Sequence, residues 1–166
     1  MLHAFADWLA QTPLSRAFQD HLWVVPTSQS FHILAVSFIF TSACMINLRL
    51  LRARPAGRSV SQLTGLLAPW MWRSLAVLLL TGIIQIIAEP VREFVAPLFW
   101  AKMLLIMVVA TLTFFYVKAV RHNAPAWDTA ASRPAGAKAF AIVSTLLWLA
   151  TIVCGRLIAY TWSNYT

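Results

Sequence analysis

The sequence predicts an all-α fold: a four-helix transmembrane bundle with an N-terminal interfacial amphipathic helix. Two observations of composition and one of pattern carry this. Of the 166 residues, 60% are hydrophobic and only 11% are charged, less than half the charged share of an ordinary soluble domain, which is about 25%. A soluble chain of this size needs far more polar residues to cover its large relative surface. The apolar residues also fall into runs near the roughly 20 residues that a helix needs to cross a bilayer. Four such runs with their loops use the whole chain, so residues 1–166 read as a single integral membrane domain.

In chain order, residues 3–22 come first and read as an amphipathic helix. Phe5, Trp8, Leu9 and Leu22 form its apolar side, interrupted by Asp7, Gln11 and Asp20, and Pro13 is positioned to break it in two. Such a segment either lies in the interface with its apolar side toward lipid or packs on the bundle end. Pro26-Thr27-Ser28 gives a turn and a helix cap, and the first span follows over about 31–51. A basic loop over 52–60, with Pro55 and Gly57, ends it. Residues 61–68 read as a short segment skimming the interface before Pro69, and the second span covers about 72–88. Residues 89–97 read as a short turn, and the third span covers about 98–120. An Ala, Pro and Gly-rich loop follows, and the fourth span covers about 140–160.

The net charge of +8 does not indicate nucleic acid, because its distribution is that of a topology signal. Residues 49–73 hold Arg49, Arg52, Arg54, Arg58 and Arg73 with no acid. Residues 118–138 hold Lys118, Arg121, Arg133 and Lys138 against Asp128, whereas 89–97 hold two Glu and one Arg. The positive-inside rule then places the first and third loops in the cytoplasm and both termini outside it, in a bacterial inner membrane. Trp100, Tyr160 and Trp162 suit the outer interface, and Trp70, Trp72 and Trp127 the inner one.

With that topology His32, Glu89, Lys102 and Arg156 reach similar depths near the outer face. Ionisable side chains there are costly enough to be functional candidates. Each also has a plainer reading: Lys102 and Arg156 snorkel to headgroups, Glu89 marks a solvated helix end, and His32 is a packed neutral side chain. At 100° per residue, Gly82, Gln85 and Glu89 share one side of the second span. Lys102, Ile106, Val109, Thr113 and Tyr116 share one side of the third, and Thr145, Leu149, Ile152, Arg156 and Tyr160 one side of the fourth. These faces are expected to point inward, since their polar groups would otherwise meet lipid.

An imidazole within a span has an obvious route to a haem iron, and cations beside it pair with the propionates. His32 is therefore the candidate metal ligand of a haem b, with Lys102 and Arg156 as its propionate partners. The usual intramembrane pair of histidines is absent. A sixth ligand comes from His21, His3 or Met103, or the position stays open; His122 lies toward the opposite face. His32, Met103 and Cys154 form a weaker candidate set for copper. Cys44 and Cys154 show no CxxC or CxxCH pattern, and no phosphate-loop, dinucleotide, serine-hydrolase or zincin motif is present.

The stretch QSFHILAVSFIFTSACMINLRLL, with His32, Asn47 and the Leu48-Arg49-Leu50 end, resembles the first span of a family of uncharacterised four-span bacterial membrane proteins. PWMWRSLAVLLLTGIIQIIAEP and FWAKMLLIMVVATLTF extend that resemblance over residues 28–120. More distantly, His32 in span one with Lys102 in span three is similar to the membrane protoporphyrinogen oxidase family, and the hydrophobic layout to the copper-resistance membrane family. The first of these likenesses implies a bound haem with an essential His and Lys. The expectation is thus a b-type haem protein in electron transfer, as the membrane anchor of an extracytoplasmic oxidoreductase with a redox partner there. The alternatives are a cofactor-free structural or assembly subunit among other membrane subunits, and a copper-binding or transport-related protein.

Overall fold

The computed structural model describes residues 2–52, 57–129 and 134–161. Arg54, Pro55, Arg133 and Trp162 lie outside the described residues. The chain forms α1 (Leu2–Ala10), α2 (Pro13–Asp20), α3 (Val24–Leu51), α4 (Val60–Ala88), α5 (Pro90–Val95), α6 (Pro97–His122), α7 (Ala124–Asp128) and α8 (Ala137–Thr161). There is no strand among the described residues. The helices α3, α4, α6 and α8 are long and apolar enough to cross a membrane, and the chain is a multi-pass membrane protein. At 1.5 Å per residue they run to roughly 38–44 Å, so their ends extend past a hydrocarbon layer of about 30 Å.

Proline starts helices here more often than it stops them. Pro13, Pro90 and Pro97 each open a helix, where the missing N–H has no partner to lose and φ is already set. The expected turn over 89–97 is therefore largely the short helix α5. Thr12 caps α2, its Oγ1 accepting from Ser15 N at 3.3 Å. Pro26 falls in the first turn of α3 and not in a turn before it, so the first span starts at Val24, ahead of the expected boundary. Pro69 lies inside α4, which is continuous from Val60 to Ala88. The separate interfacial segment expected over 61–68 is instead the start of the second span. Its first turn is fixed by a capping box between Ser59 and Gln62 and by Asp128, whose carboxylate accepts from Ser61 N at 2.8 Å and Ser61 Oγ at 2.6 Å. Those bonds hold the N-terminal end of the helix against the single bond lost at Pro69.

The long helices form a ring in which α3 packs on α4 and α8, and α6 packs on α8. The remaining seam, between α4 and α6, is the loosest in the ring. Ala35, Ile39, Ala43, Ile46 and Leu50 make the buried stripe of α3. The small residues on it let the backbones approach, as membrane interfaces require. Polar bonds tie the helices together: Asn47 Nδ2 donates to Thr145 Oγ1 at 2.9 Å, and the Thr64 and Tyr116 hydroxyls meet at 3.1 Å. Trp127 faces the protein and not its outer surface. It is buried, edge-on to Tyr116 at 5.3 Å between centroids, because α7 folds it back under the bundle. Arg49 is buried too, its Nε donating to Arg58 O at 2.7 Å, so it has a structural role besides its charge.

At the other end, α1, α2 and α5 cap the bundle. Ser15 Oγ donates to Ile87 O at 2.7 Å and Gln19 Nε2 to Ala88 O at 3.1 Å. These are two of the carbonyls left without intrahelical partners at the end of α4. Ala6 and Ser15 are fully buried, and Phe5 packs edge-on to Phe94. The N-terminal segment thus packs on the bundle through small and polar residues while Phe5, Trp8 and Leu22 remain exposed. Leu22 sits in the turn beyond α2 and does not share a helix with Phe5 and Trp8.

Candidate functional site

Toward the capped end the spans bring in two ionisable residues, His32 and Lys102. His32 stands eight residues into α3, Lys102 five into α6, and Thr81 seven before the end of α4, depths of roughly 8–12 Å from those helix ends. His32 Nδ1 lies 2.8 Å from Thr81 Oγ1. The Thr81 hydroxyl spends its one proton on the carbonyl of Val77 at 2.7 Å, so it accepts from His32. That network assigns the proton to Nδ1 and leaves Nε2 with a bare lone pair. The His32 ring packs over Gly82, where an added Cβ would sit 4.0 Å from Cε1.

Lys102 enters the same region from α6. Its Cε and Nζ lie over Gly155 of α8, each 3.7 Å from where a Cβ would stand. The ammonium is within electrostatic range of His32, Glu93 and Cys154. Gln85, one turn beyond Thr81 on α4, buries its amide nitrogen. Neither the Lys102 ammonium nor this nitrogen has a hydrogen-bond partner among the described residues. His32 thus packs where α3 meets α4, Lys102 where α6 meets α8, and Gln85 lies one turn beyond Thr81 on α4.

Arg156 is placed differently. It is exposed on the flank of α8, donates to the Tyr160 hydroxyl at 2.7 Å and stacks over that ring at 4.9 Å. The buried face of α8 is Ala137, Ala141, Ser144, Trp148, Thr151 and Ile158. The expected inward face of this helix is thus turned by about one residue. Leu149 and Tyr160 are exposed, because Arg156 finds its partner on its own helix. The inward face expected for α6 is the one observed, with Val109, Thr113 and Tyr116 buried. The structure brings His32 and Lys102 together and leaves Arg156 outside their cluster.

Three members of the cluster had not been singled out as site residues. Thr81 and Gln85 lie beside Gly82 on one stripe of α4, a signal present in the helical spacing. Glu93, counted as a loop acid, is only 7% exposed and shares Arg92 with Glu89: Arg92 Nη2 lies 2.5 Å from Glu89 Oε2 and 3.4 Å from Glu93 Oε1. Nothing in the sequence announced the burial of Glu93, because it depends on α5 docking against α1 and α6. His21 stacks near Trp23, and Met103 packs on the Ala96, Phe99 and Ile158 cluster.

Of these residues, His32 is the one that would hold a haem iron. His32 presents a fixed imidazole with its second nitrogen hydrogen-bonded, the usual arrangement for a metal-ligating histidine. Lys102 and Gln85 offer donors to carboxylates. Space for the macrocycle is not preformed. An apolar cleft of about 20 Å³ in mid-bundle and a cavity of about 450 Å³ at the capped end are both lined by other residues. Among the described residues no three His, Cys, Asp or Glu side chains converge to hold a metal ion.

No curated protein and no solved structure matches the chain. The model of a family of unknown function, DUF6644, matches residues 20–161. The match takes in all four spans and the His32–Lys102 cluster, and the chain belongs to that family.

Proposed function

We propose that the protein binds a b-type haem through His32 at the capped end of the bundle and serves electron transfer as the membrane anchor of an extracytoplasmic oxidoreductase. One observation carries the reading: a bare imidazole nitrogen, fixed by Thr81, within electrostatic range of the Lys102 ammonium. Bound there, haem supplies a one-electron couple. His32 would hold the iron through its free ring nitrogen, Thr81 would fix the tautomer, Lys102 would offset propionate charge that the bilayer penalises, and Gln85 would offer a propionate a hydrogen bond. Arg156, on the flank of α8, is a further cation for a propionate that extends that far.

The capped end faces away from the cytoplasm of a bacterial inner membrane in this reading, since the basic residues gather at the opposite end. Reporter fusions at Gly57 and Thr166 are expected on opposite sides, and a cytoplasmic signal at Thr166 reverses the arrangement. The cofactor is tested by the Soret band of detergent-purified protein after haem-replete expression, and by its loss in His32→Ala. A cofactor-free subunit is the second reading, favoured by the close packing of His32 on Gly82 and Lys102 on Gly155. Well-folded, haem-supplied protein without Soret absorbance would select it.

A further inference from the structure

Arg73 stands in the middle of a span and faces out of the bundle. By composition it belongs with the loop charges, yet it falls at the middle of the 29 residues of α4, because that helix runs unbroken through Pro69. Its neighbours mark the same level. Trp70, one turn before it, meets Phe38 of mid-α3 at 6.1 Å between centroids. Arg73 is exposed, and its guanidinium stacks over the Trp70 ring at 4.8 Å. Among the described residues it makes no hydrogen bond or ion pair.

That level is inside the hydrocarbon. Side chains on a helix lean toward its N-terminus, so Arg73 leans to Trp70, which stands roughly 15 Å from the Val60 end. Centred on a core of about 30 Å, a helix of this length overhangs it by about 7 Å at each end. The stacked guanidinium therefore lies roughly 8 Å inside the core. Cations at such depth are rare and pair with acids. Stacking on an indole offsets part of the cost but supplies no anion. Lipid phosphates stay at the boundary, above this level. A second copy of the chain brings no anion either. Its five acids, Asp7, Asp20, Glu89, Glu93 and Asp128, all lie outside α3, α4, α6 and α8, and a copy in the same orientation adds a second Arg73 at the same depth.

The remaining source is a span of another protein. Leu66, Trp70, Arg73, Val77 and Leu80 are all exposed and alternate four and three residues apart, the spacing of a seam along which one helix packs on another. Arginine and tryptophan are also the side chains that most often dominate binding at an interface. We infer that the outward face of α4, centred on Arg73 and Trp70, docks a membrane-spanning helix of a different protein that carries a carboxylate at mid-depth. Arg73 donates to both carboxylate oxygens through a planar fork that the stack over Trp70 already orients. Leu66, Val77 and Leu80 pack along the partner helix on either side. This docking is independent of haem.

A synthetic membrane-spanning polyleucine peptide with one glutamate at its middle is the probe, since either orientation presents the carboxylate at the same depth. Energy transfer from the donor-labelled full chain to the acceptor-labelled peptide is read in phosphatidylcholine vesicles. Association is expected to be about tenfold tighter than with the all-leucine peptide, the size of one charge-assisted pair. The preference should vanish in R73L and persist in R121Q, which lies at the end of α6. Circular dichroism checks the fold, and R73M serves if R73L does not fold. Native mass spectrometry with phosphatidylglycerol covers the lipid alternative. Arg73-dependent retention of that lipid without a peptide preference would assign the cation to lipid phosphate. Self-association of the chain that is lost in R73L would assign the face to a second copy. Either result overturns the inference, as does equal association of the two peptides or a preference that survives in a folded Arg73 variant.

Discussion

Thr81→Val is the sharpest probe of the site because it changes one hydroxyl and almost no volume. In the wild type that hydroxyl accepts from His32 Nδ1 at 2.8 Å and donates to Val77 O at 2.7 Å. Valine leaves the imidazole two unfavourable choices. It keeps the proton on Nδ1 with no acceptor, at about 1–3 kcal/mol, or moves it to Nε2 and loses the lone pair proposed to bind the iron. Hydrogen bonds between membrane helices couple more weakly than that, averaging about 0.6 and reaching about 1.7 kcal/mol. A coupling of about 1 kcal/mol between Thr81 and His32 is therefore expected from melting the wild type, T81V, H32A and the double variant in one detergent. The proposed haem would amplify the effect, since loss of the group that orients a metal-bound histidine lowers affinity by about 10- to 100-fold. Haem per polypeptide, measured as the pyridine haemochrome, should fall accordingly in T81V. Wild-type haem content in T81V together with coupling below about 0.3 kcal/mol would refute the assigned tautomer and the role given to His32.

K102M and Q85L should each lower haem retention by about tenfold through loss of propionate partners, with no loss of melting temperature in the haem-free form, because each removes an unpartnered donor. R156L should lower haem content less than K102M, read by the same haemochrome ratio, since Arg156 is exposed and engaged with Tyr160. His122, at the far end of α6, should leave the Soret spectrum unchanged when replaced by Asn. D128A removes both bonds that hold the first turn of α4 and should cost about 1–3 kcal/mol of stability. That loss should appear as a lower melting temperature with an unaltered haem spectrum, and an unchanged melting temperature would mean that the capping box suffices to hold the turn.

Much of the site was legible because helical spacing is a strict rule. Lys102, Val109, Thr113 and Tyr116 recur on one face of α6 whatever lies opposite, so their common direction follows from the 3.6-residue period. The same rule failed by one residue on α8. That helix is apolar on every side, and the only strong marker on it, Arg156, was assumed to need the interior. A guanidinium can instead lie along its own helix and meet a tyrosine four residues on, and local sequence does not say which of the two wins.

Prolines misled for a related reason. Pro26 and Pro69 read as boundaries from local preference alone, yet the first sits where an N–H needs no partner and the second where Asp128, 67 residues away from Ser61 in sequence, anchors the turn ahead of it. The sequence by itself determined that the chain crosses a bilayer, how many times, and which depth its ionisable residues share, because those follow from local hydropathy and period. Only the tertiary structure decided that Thr81 fixes His32, that Glu93 is buried where α5 docks, that Trp127 belongs to the core and that Arg156 looks away. Each of those depends on contacts between segments distant in sequence or on one rotational setting of a helix, and burial in a packed bundle is a property that no single segment carries.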